Sequence, residues 1–281
     1  MPSSIVETFT LPSSAGILAD FLLHQDVQAH FVGGVIRDSL LKIETADIDV
    51  AVKGNALIIG KAAASNLKGT YIELDRDRGI CRVIVAGEKG FQADFVSANE
   101  GIKADLARRD FTIDSMAIDI ESVRTNEGEL SFTLSNLVDP LNGRSDLNSG
   151  KLRSVSSSSF ADDPIRLMRA VRLSSQYGLR LEDKTYDQIK NIAPKLKGIA
   201  PERIRDEFLK TLSLRGASDS IRLMDKLGLL EQIIPEINQS RGVVQPKEHY
   251  WNVFEHLIEC VGRLERILQP QFQKSGHCQD D

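Results

Sequence analysis

Residues 31–50, FVGGVIRDSLLKIETADIDV, decide how the rest of the chain is read. They set a Gly-Gly turn, an Arg-Asp pair and an Asp-Ile-Asp triplet close together, and no ordinary packing requirement explains all three. Gly33 and Gly34 end a short strand predicted over residues 30–33 and open a short helix over 35–41. Glycine lets a ligand approach the backbone, and a helix N-terminus offers unpaired N–H groups to a phosphate. Arg37, on the first turn, is placed to add a bidentate phosphate contact, while Asp38 reads as fixing local geometry. A bare Gly-Gly also marks a plain tight turn.

Asp47 and Asp49 lie two apart on a strand predicted over 47–52, so both leave the same face while Ile48 and Val50 enter the core. Adjacent carboxylates repel unless a cation sits between them. Mg²⁺ suits such a pair, because it binds through few carboxylates plus substrate phosphates, and two such ions can activate a hydroxyl and stabilise a leaving oxygen. The rival reading, a solvated acidic edge, loses ground beside Gly-Gly-x-x-Arg-Asp. In FQADFV the alternation sets Gln92 and Asp94 opposite Phe91, Ala93 and Phe95, so a neighbouring strand would make Asp94 a third catalytic carboxylate; a plain surface aspartate is the alternative.

The chain has 281 residues, room for one large or two modest domains. No apolar window is long enough to span a membrane, and the N-terminus lacks a basic segment followed by an apolar one. Cys81, Cys260 and Cys278 are odd in number and widely spaced, which reads as reduced thiols in the cytoplasm. Net charge is −5, yet residues 151–215 carry 14 Lys/Arg against 8 Asp/Glu, a local +6 that leaves −11 elsewhere. A basic segment in an acidic chain can track a phosphate backbone, though basic helix faces are often just solvated.

To about residue 155 the chain reads as α+β: a helix over 14–25 capped by Ser13 or Ser14, a helix over 55–66, and strands over 70–74, 80–86 and 91–97 joined by hairpins, hence a small mixed or antiparallel sheet with flanking helices. After the serine run 154–159 the pattern is all-α, with helices over 162–177, 183–192, 201–212, 218–227 and 252–268, then a polar tail read as disordered. Three regions follow: a catalytic head over 1–155, a helical neck binding nucleotide and RNA over 156–228, and a further helical region over 229–281.

GGVIRDSLL followed by DID, then LARRDFTIDSMAI, VDPLNGRSDLNSGKLR, DDPIRLMRAVRLSSQYGL and PERIRDEFLKTL, resemble in order the five motifs of the bacterial tRNA nucleotidyltransferase and poly(A) polymerase family, over roughly residues 29–215. The resemblance implies a head domain in which Asp47 and Asp49 hold Mg²⁺, with Gly34, Arg37 and Arg109 on the triphosphate or ribose. It implies a neck in which Asp163 and Arg166 read the Watson–Crick edge of CTP or ATP, with Arg169 and Arg172 reaching the nucleotide or its phosphates. The acceptor would be the 3′ end of tRNA or another RNA. The residues support these roles. Asp163, Arg166 and Arg169 recur three apart along one predicted helix; a carboxylate accepts from an exocyclic amine and a guanidinium donates to ring acceptors. The plain alternative is an intrahelical Asp163–Arg166 salt bridge. Leu167, Met168 and Val171 read as core.

The chain departs from the pattern in places. Asp114 stands where the family usually has asparagine, and Lys42 replaces a glycine. The segment between Asp94 and Arg108 is short, and in related enzymes that add the two cytidines only, a flexible loop between the first two motifs is shortened. His249, Trp251 and His256 in HYWNVFEHLIECV resemble the first helix of an HD phosphohydrolase domain, but no downstream His-Asp pair completes a metal site. That region reads as truncated, and His256 as surface or partly packed. The rivals to CCA addition are CC addition alone, poly(A) synthesis and a non-catalytic RNA-binding remnant. Oligomeric state is not legible.

Overall fold

The computed structural model describes residues 7–87, 90–126, 129–246 and 250–274, with the backbone alone at 126 and 269–274. The chain forms two compact units, Met1–Ser149 with Arg153–Ser156, and Gly150–Leu152 with Ser157–Asp281. The head runs β1 (Thr8–Thr10), α1 (Ser13–Leu23), β2 (Ala29–Val32), α2 (Gly34–Leu41), β3 (Asp47–Val52), α3 (Ala56–Asn66), β4 (Thr70–Asp75), β5 (Ile80–Val85), β6 (Phe91–Ser97), α4 (Ile102–Ala107), β7 (Ala117–Asp119), β8 (Arg124–Asn126), β9 (Glu129–Thr133), β10 (Leu137–Val138) and α5 (Gly143–Asn148).

Among the described residues one seven-stranded sheet has the order β10-β7-β2-β3-β6-β5-β4. The hairpins expected from the turn signals form: β4–β5 and β5–β6 are antiparallel. β3 and β6 run parallel, joined by the long excursion through α3 and the hairpins, so the sheet is mixed. A three-stranded sheet, β1-β9-β8, was not expected from the sequence.

Alternation divides the large sheet into a dry and an open face. Phe31, Ile48, Val50, Cys81, Val83, Ala93 and Phe95 point into one core with Leu18 and Leu22 of α1 and Ala63 of α3, all at most 2% exposed. Burial of aliphatic side chains on this scale, about 1.5–3 kcal/mol each, drives formation of the unit. On the other face Val32, Ala51 and Ala117 pack under Leu106 of α4. That cover stops at Ala51, and beyond it β3 presents Asp49 and Asp47. Asn55 caps α3, its Oδ1 accepting from Leu57 N–H at 3.0 Å and Ile58 N–H at 3.3 Å. α1 starts one residue earlier than expected, with Pro12 rather than a serine at its N-cap.

The second unit contains β11 (Lys151–Leu152), α6 (Ser159–Asp162), α7 (Arg166–Tyr177), β12 (Arg180–Leu181), α8 (Asp183–Ile192), α9 (Pro201–Leu212), α10 (Ala217–Lys226), α11 (Leu230–Ile233) and α12 (Val253–Lys274). α8 and α9 occupy the residues expected of them. The helix expected from 162 is broken: α6 ends at Asp162, and Asp163 is extended (φ −147°, ψ 95°) before Pro164. Proline disfavours the helical region for the residue before it.

The C-terminal region is joined to the other helices rather than set apart. Arg222 of α10 donates to Glu255 and, at 2.8 Å, to Glu259 of α12. Glu265 of α12 accepts the N–H groups of Gly216 (2.5 Å) and Ala217 (3.2 Å) at the start of α10. α12 continues to Lys274, past the expected end at 268; the tail beyond 274 and His249 lie outside the described residues. No described helix is long and apolar enough to cross a membrane.

Candidate active site

The head site is assembled by three neighbouring strands and one turn. In register across the sheet, Val32 of β2 faces Asp49 of β3, Asp49 faces Asp94 of β6, and Asp94 faces Arg82 of β5. Asp49 and Asp94 are therefore adjacent on the open face, with Asp47 one step toward the strand's exposed end. The sequence set Asp94 on the polar face of its strand and left open which strand lies beside it; β6 pairs with β3. The sequence did not reveal that Asp94 is gripped by Arg82, whose Nε donates to Oδ1 at 2.7 Å and Nη2 to Oδ2 at 2.8 Å.

Gly33 caps α2 with φ 73° and ψ −132°, a conformation that favours glycine. A Cβ there would stand 2.7 Å from Asp49 Oδ2 and closer still to Arg109 Nη1, so the turn and the carboxylate are built against each other. The N–H groups of Ile36 and Arg37 already turn back to the Gly33 carbonyl, at 3.1 and 3.3 Å, which leaves those of Gly34 and Val35 without an acceptor in their own helix.

Arg109 is 18% exposed and bridges the site. Its Nη1 lies 3.5 Å from Asp49 Oδ2 and its Nε donates to Asp105 Oδ2 at 3.1 Å. Burial works against its charge, but Asp105 and Asp49 outweigh that and hold its pKa above the ordinary arginine value.

Arg37, expected on a phosphate, lies behind the glycine turn in this structure. Its side chain is 8% exposed and turned beneath the Gly-Gly turn, with Nε donating to Asp38 Oδ1 at 2.9 Å and Nη1 to Asp114 Oδ1. Two buried carboxylates, Asp38 beside it on α2 and Asp114 from the short turn Thr112–Asp114, draw it inward, and it braces the glycine turn from behind. Asp114, the departure from asparagine, is thus half of a buried ion pair.

In the second unit Arg166, Arg169 and Arg172 share the half-buried face of α7, while Leu167, Met168 and Val171 are fully buried as expected. Asp163 sits just before α7 and accepts from Arg203 Nη2 of α9 at 2.8 Å. Arg166 Nη1 donates to Ser159 Oγ at 2.8 Å. Arg172, expected to reach the nucleotide or its phosphates, is engaged within the helices. It is 16% exposed, with Nε donating to Glu207 Oε2 at 2.7 Å, and so ties α7 to α9 instead of lining an open surface.

Arg82 and Arg203 are the residues that sequence reasoning missed. Alternation along β5 sets Arg82 on the face of Asp94, so registering that hairpin would have found it. Nothing local announces a partner forty positions from Asp163.

The residues fit a divalent metal bound through few protein ligands. Among the described residues no three His, Cys, Asp or Glu side chains converge on one position. Asp47 and Asp49 remain as a pair of hard oxygen donors at an open mouth, a set that needs substrate phosphates to complete it. His256 has Cys260 as a neighbour on α12, Nε2 to Sγ 3.6 Å.

Residues 29–153 match the family model described as "Poly A polymerase head domain", and residues 178–240 that described as "Probable RNA and SrmB-binding site of polymerase A". The chain is 36% identical over 241 residues to an A-adding tRNA nucleotidyltransferase of Deinococcus radiodurans, covering 84% of this chain and 52% of the relative. It is also 36% identical over 220 residues to a CC-adding tRNA nucleotidyltransferase of Geobacter sulfurreducens, 78% and 47%. It thus spans about half the length of these curated relatives. Among solved structures it superposes on a Thermotoga maritima CCA-adding enzyme complexed with tRNA, with TM-score 0.65 and 30% identity over 82% of this chain and 52% of that one. A CCA-adding enzyme in complex with CTP gives TM-score 0.66 and 29% identity over 80% and 54%.

Proposed function

We propose that this chain, a member of the tRNA nucleotidyltransferase and poly(A) polymerase family, adds C, A or both from CTP and ATP to the 3′ end of tRNA without a template. The observation that carries the reading is the head site: two carboxylates on one open face of β3, built against a glycine turn and flanked by Arg109. The RNA 3′-oxygen attacks the α-phosphorus, the bond to the β-phosphate oxygen breaks, and pyrophosphate leaves. Catalysis is positioning and charge neutralisation, and no side-chain nucleophile is required.

Asp47 and Asp49 would hold the divalent metal that such enzymes generally use, here taken as Mg²⁺. When bound, it supplies charge neutralisation for the phosphates and the attacking oxygen. The N–H groups of Gly34 and Val35 take phosphate oxygens, while that of Gly33 is held by the Met116 carbonyl at 3.1 Å. Arg109 adds a guanidinium whose charge is secured by Asp105. Arg37 keeps Gly33 and Gly34 in place from behind.

In the helical unit Asp163 accepts from the exocyclic amine that cytosine and adenine share at their pairing edge, and Arg166 donates to ring acceptors. Arg169 serves the phosphates. The basic segment after residue 150 takes the acceptor stem, which sets the protein in the cytoplasm beside its RNA.

One observation favours a narrower reading, CC addition alone. Between β6 and Arg108 the chain has only residues 98–101 and the six-residue α4, whose Leu106 is buried, so no long excursion separates Asp94 from Arg109.

The deciding assay offers CTP, ATP or both to transcripts lacking CCA, ending in C and ending in CC, beside an Asp47→Ala/Asp49→Ala control. Growth to CCA supports the full activity, and arrest at CC the narrower one. Long A tails would move the reading to poly(A) synthesis. No incorporation, with tRNA still bound, would sink the enzymatic claim.

A further inference from the structure

Beside the glycine turn, the open face of the head sheet carries Asp47, Asp49 and Asp94, and Asp94 already gives both oxygens to a guanidinium. Arg82 and Asp94 stand directly opposite across the antiparallel β5–β6 pair. Their two hydrogen bonds, 2.7 and 2.8 Å, form the planar fork that fixes both partners, and their side chains are only 32% and 28% exposed. The bond to Asp94, and after it the nearby charges of Asp94, Asp47 and Asp49, hold the Arg82 pKa above its ordinary value. Asp47, by contrast, is exposed at the strand end.

We propose, resting on the metal reading above, that Arg82 is a positioning residue of the metal site. Its grip on Asp94 keeps this third carboxylate out of the coordination sphere, so that a divalent cation meets only Asp47 and Asp49. The consequence is chemical. Each protein carboxylate that joins a Mg²⁺ ion raises affinity but occupies a position and cancels charge that the phosphates need. Arg82 holds the site at two carboxylates and leaves the remaining positions to substrate oxygens.

The test is Mn²⁺ binding to the full chain without nucleotide or RNA, read from loss of the free-ion electron-spin resonance signal. Asp47→Asn/Asp49→Asn must abolish binding; if it does not, the metal reading itself fails, separately from the role of Arg82. With that control in place, Arg82→Gln is expected to tighten Mn²⁺ binding by about fivefold or more, because Asp94 joins the site. Arg82→Gln combined with Asp94→Asn leaves the local net charge unchanged, and its affinity is expected within about twofold of wild type. A double variant weakened by about tenfold or more would overturn the proposal, since Asp94 would then be a ligand already in the wild type. An unchanged affinity in Arg82→Gln would overturn it too. Should the double variant fail to fold, Arg82→Thr/Asp94→Thr replaces it with a cross-strand pair suited to the sheet.

Discussion

Replacing Arg37 with methionine should destabilise the head far more than replacing its partner Asp114 with asparagine. The Arg37, Asp38 and Asp114 side chains are 8%, 8% and 7% exposed, so none can turn to solvent without opening the fold. Arg37→Met leaves two buried carboxylates facing each other without the guanidinium between them. Removing one member of a buried ion pair costs about 3–5 kcal/mol, a large share of the roughly 5–15 kcal/mol that stabilises a domain. Asp114→Asn keeps an acceptor for Arg37 Nη1 and leaves the 2.9 Å bond to Asp38 intact. Its cost is the difference between a charge-assisted and a neutral hydrogen bond, about 1 kcal/mol. The assay is urea unfolding followed by amide exchange in β2 and β3. The single tryptophan, Trp251, lies in the helical unit and does not report the head. An Arg37→Met cost below about 1 kcal/mol, or an Asp114→Asn cost equal to it, would refute the reasoning.

Other perturbations follow from the same geometry. Gly33→Ala puts a Cβ on a backbone at φ 73° and against Asp49 Oδ2, so it should cost about 1–3 kcal/mol. It should also lower nucleotide incorporation by at least about tenfold, since the atom displaced belongs to a proposed metal ligand. Glu265→Ala removes the carboxylate capping the start of α10 and should cost about 1–2 kcal/mol, read from Trp251 fluorescence in the same unit. His30 has its pKa pushed below the ordinary 6.5 by burial, against the opposing pull of Asp119. The unfolded chain therefore takes up the proton first. Head stability should fall as pH drops through about 6.5 and stop falling below the folded-state value, and that component should vanish in His30→Gln.

The parts of this fold legible in the sequence are those governed by local periodicity. α8, α9 and β3 lie where alternation or the helical repeat set them, and the β4–β5–β6 hairpins follow from their turns. β7 to β10 were not seen, because strands of two to five residues carry too few alternations to register. The break at Asp163 was written in the chain as Asp-Pro, but the helical spacing of the arginines hid it. The candidate site was legible to the same depth. Residue types and faces could be read for Asp47, Asp49, Asp94 and Gly33. The partners of Arg37, Arg172, Arg82 and Asp163 could not, because each is chosen by tertiary packing over separations that periodicity does not encode.

The pairing of β3 with β6 has one more consequence. They run parallel and no turn connects them directly, so nothing in the local chain sets their alignment. It is set from below, where Ile48 and Val50 interlock with Ala93 and Phe95 in the dry core. A slip of one residue would carry Asp94 into that core and lift a phenylalanine or alanine beside Asp49. The greasy underside thus acts as the jig on which the wet side is machined. A methyl group added or removed at Ala93, which is fully buried in that core beside Ile48, would shift the spacing of the charges on the opposite face.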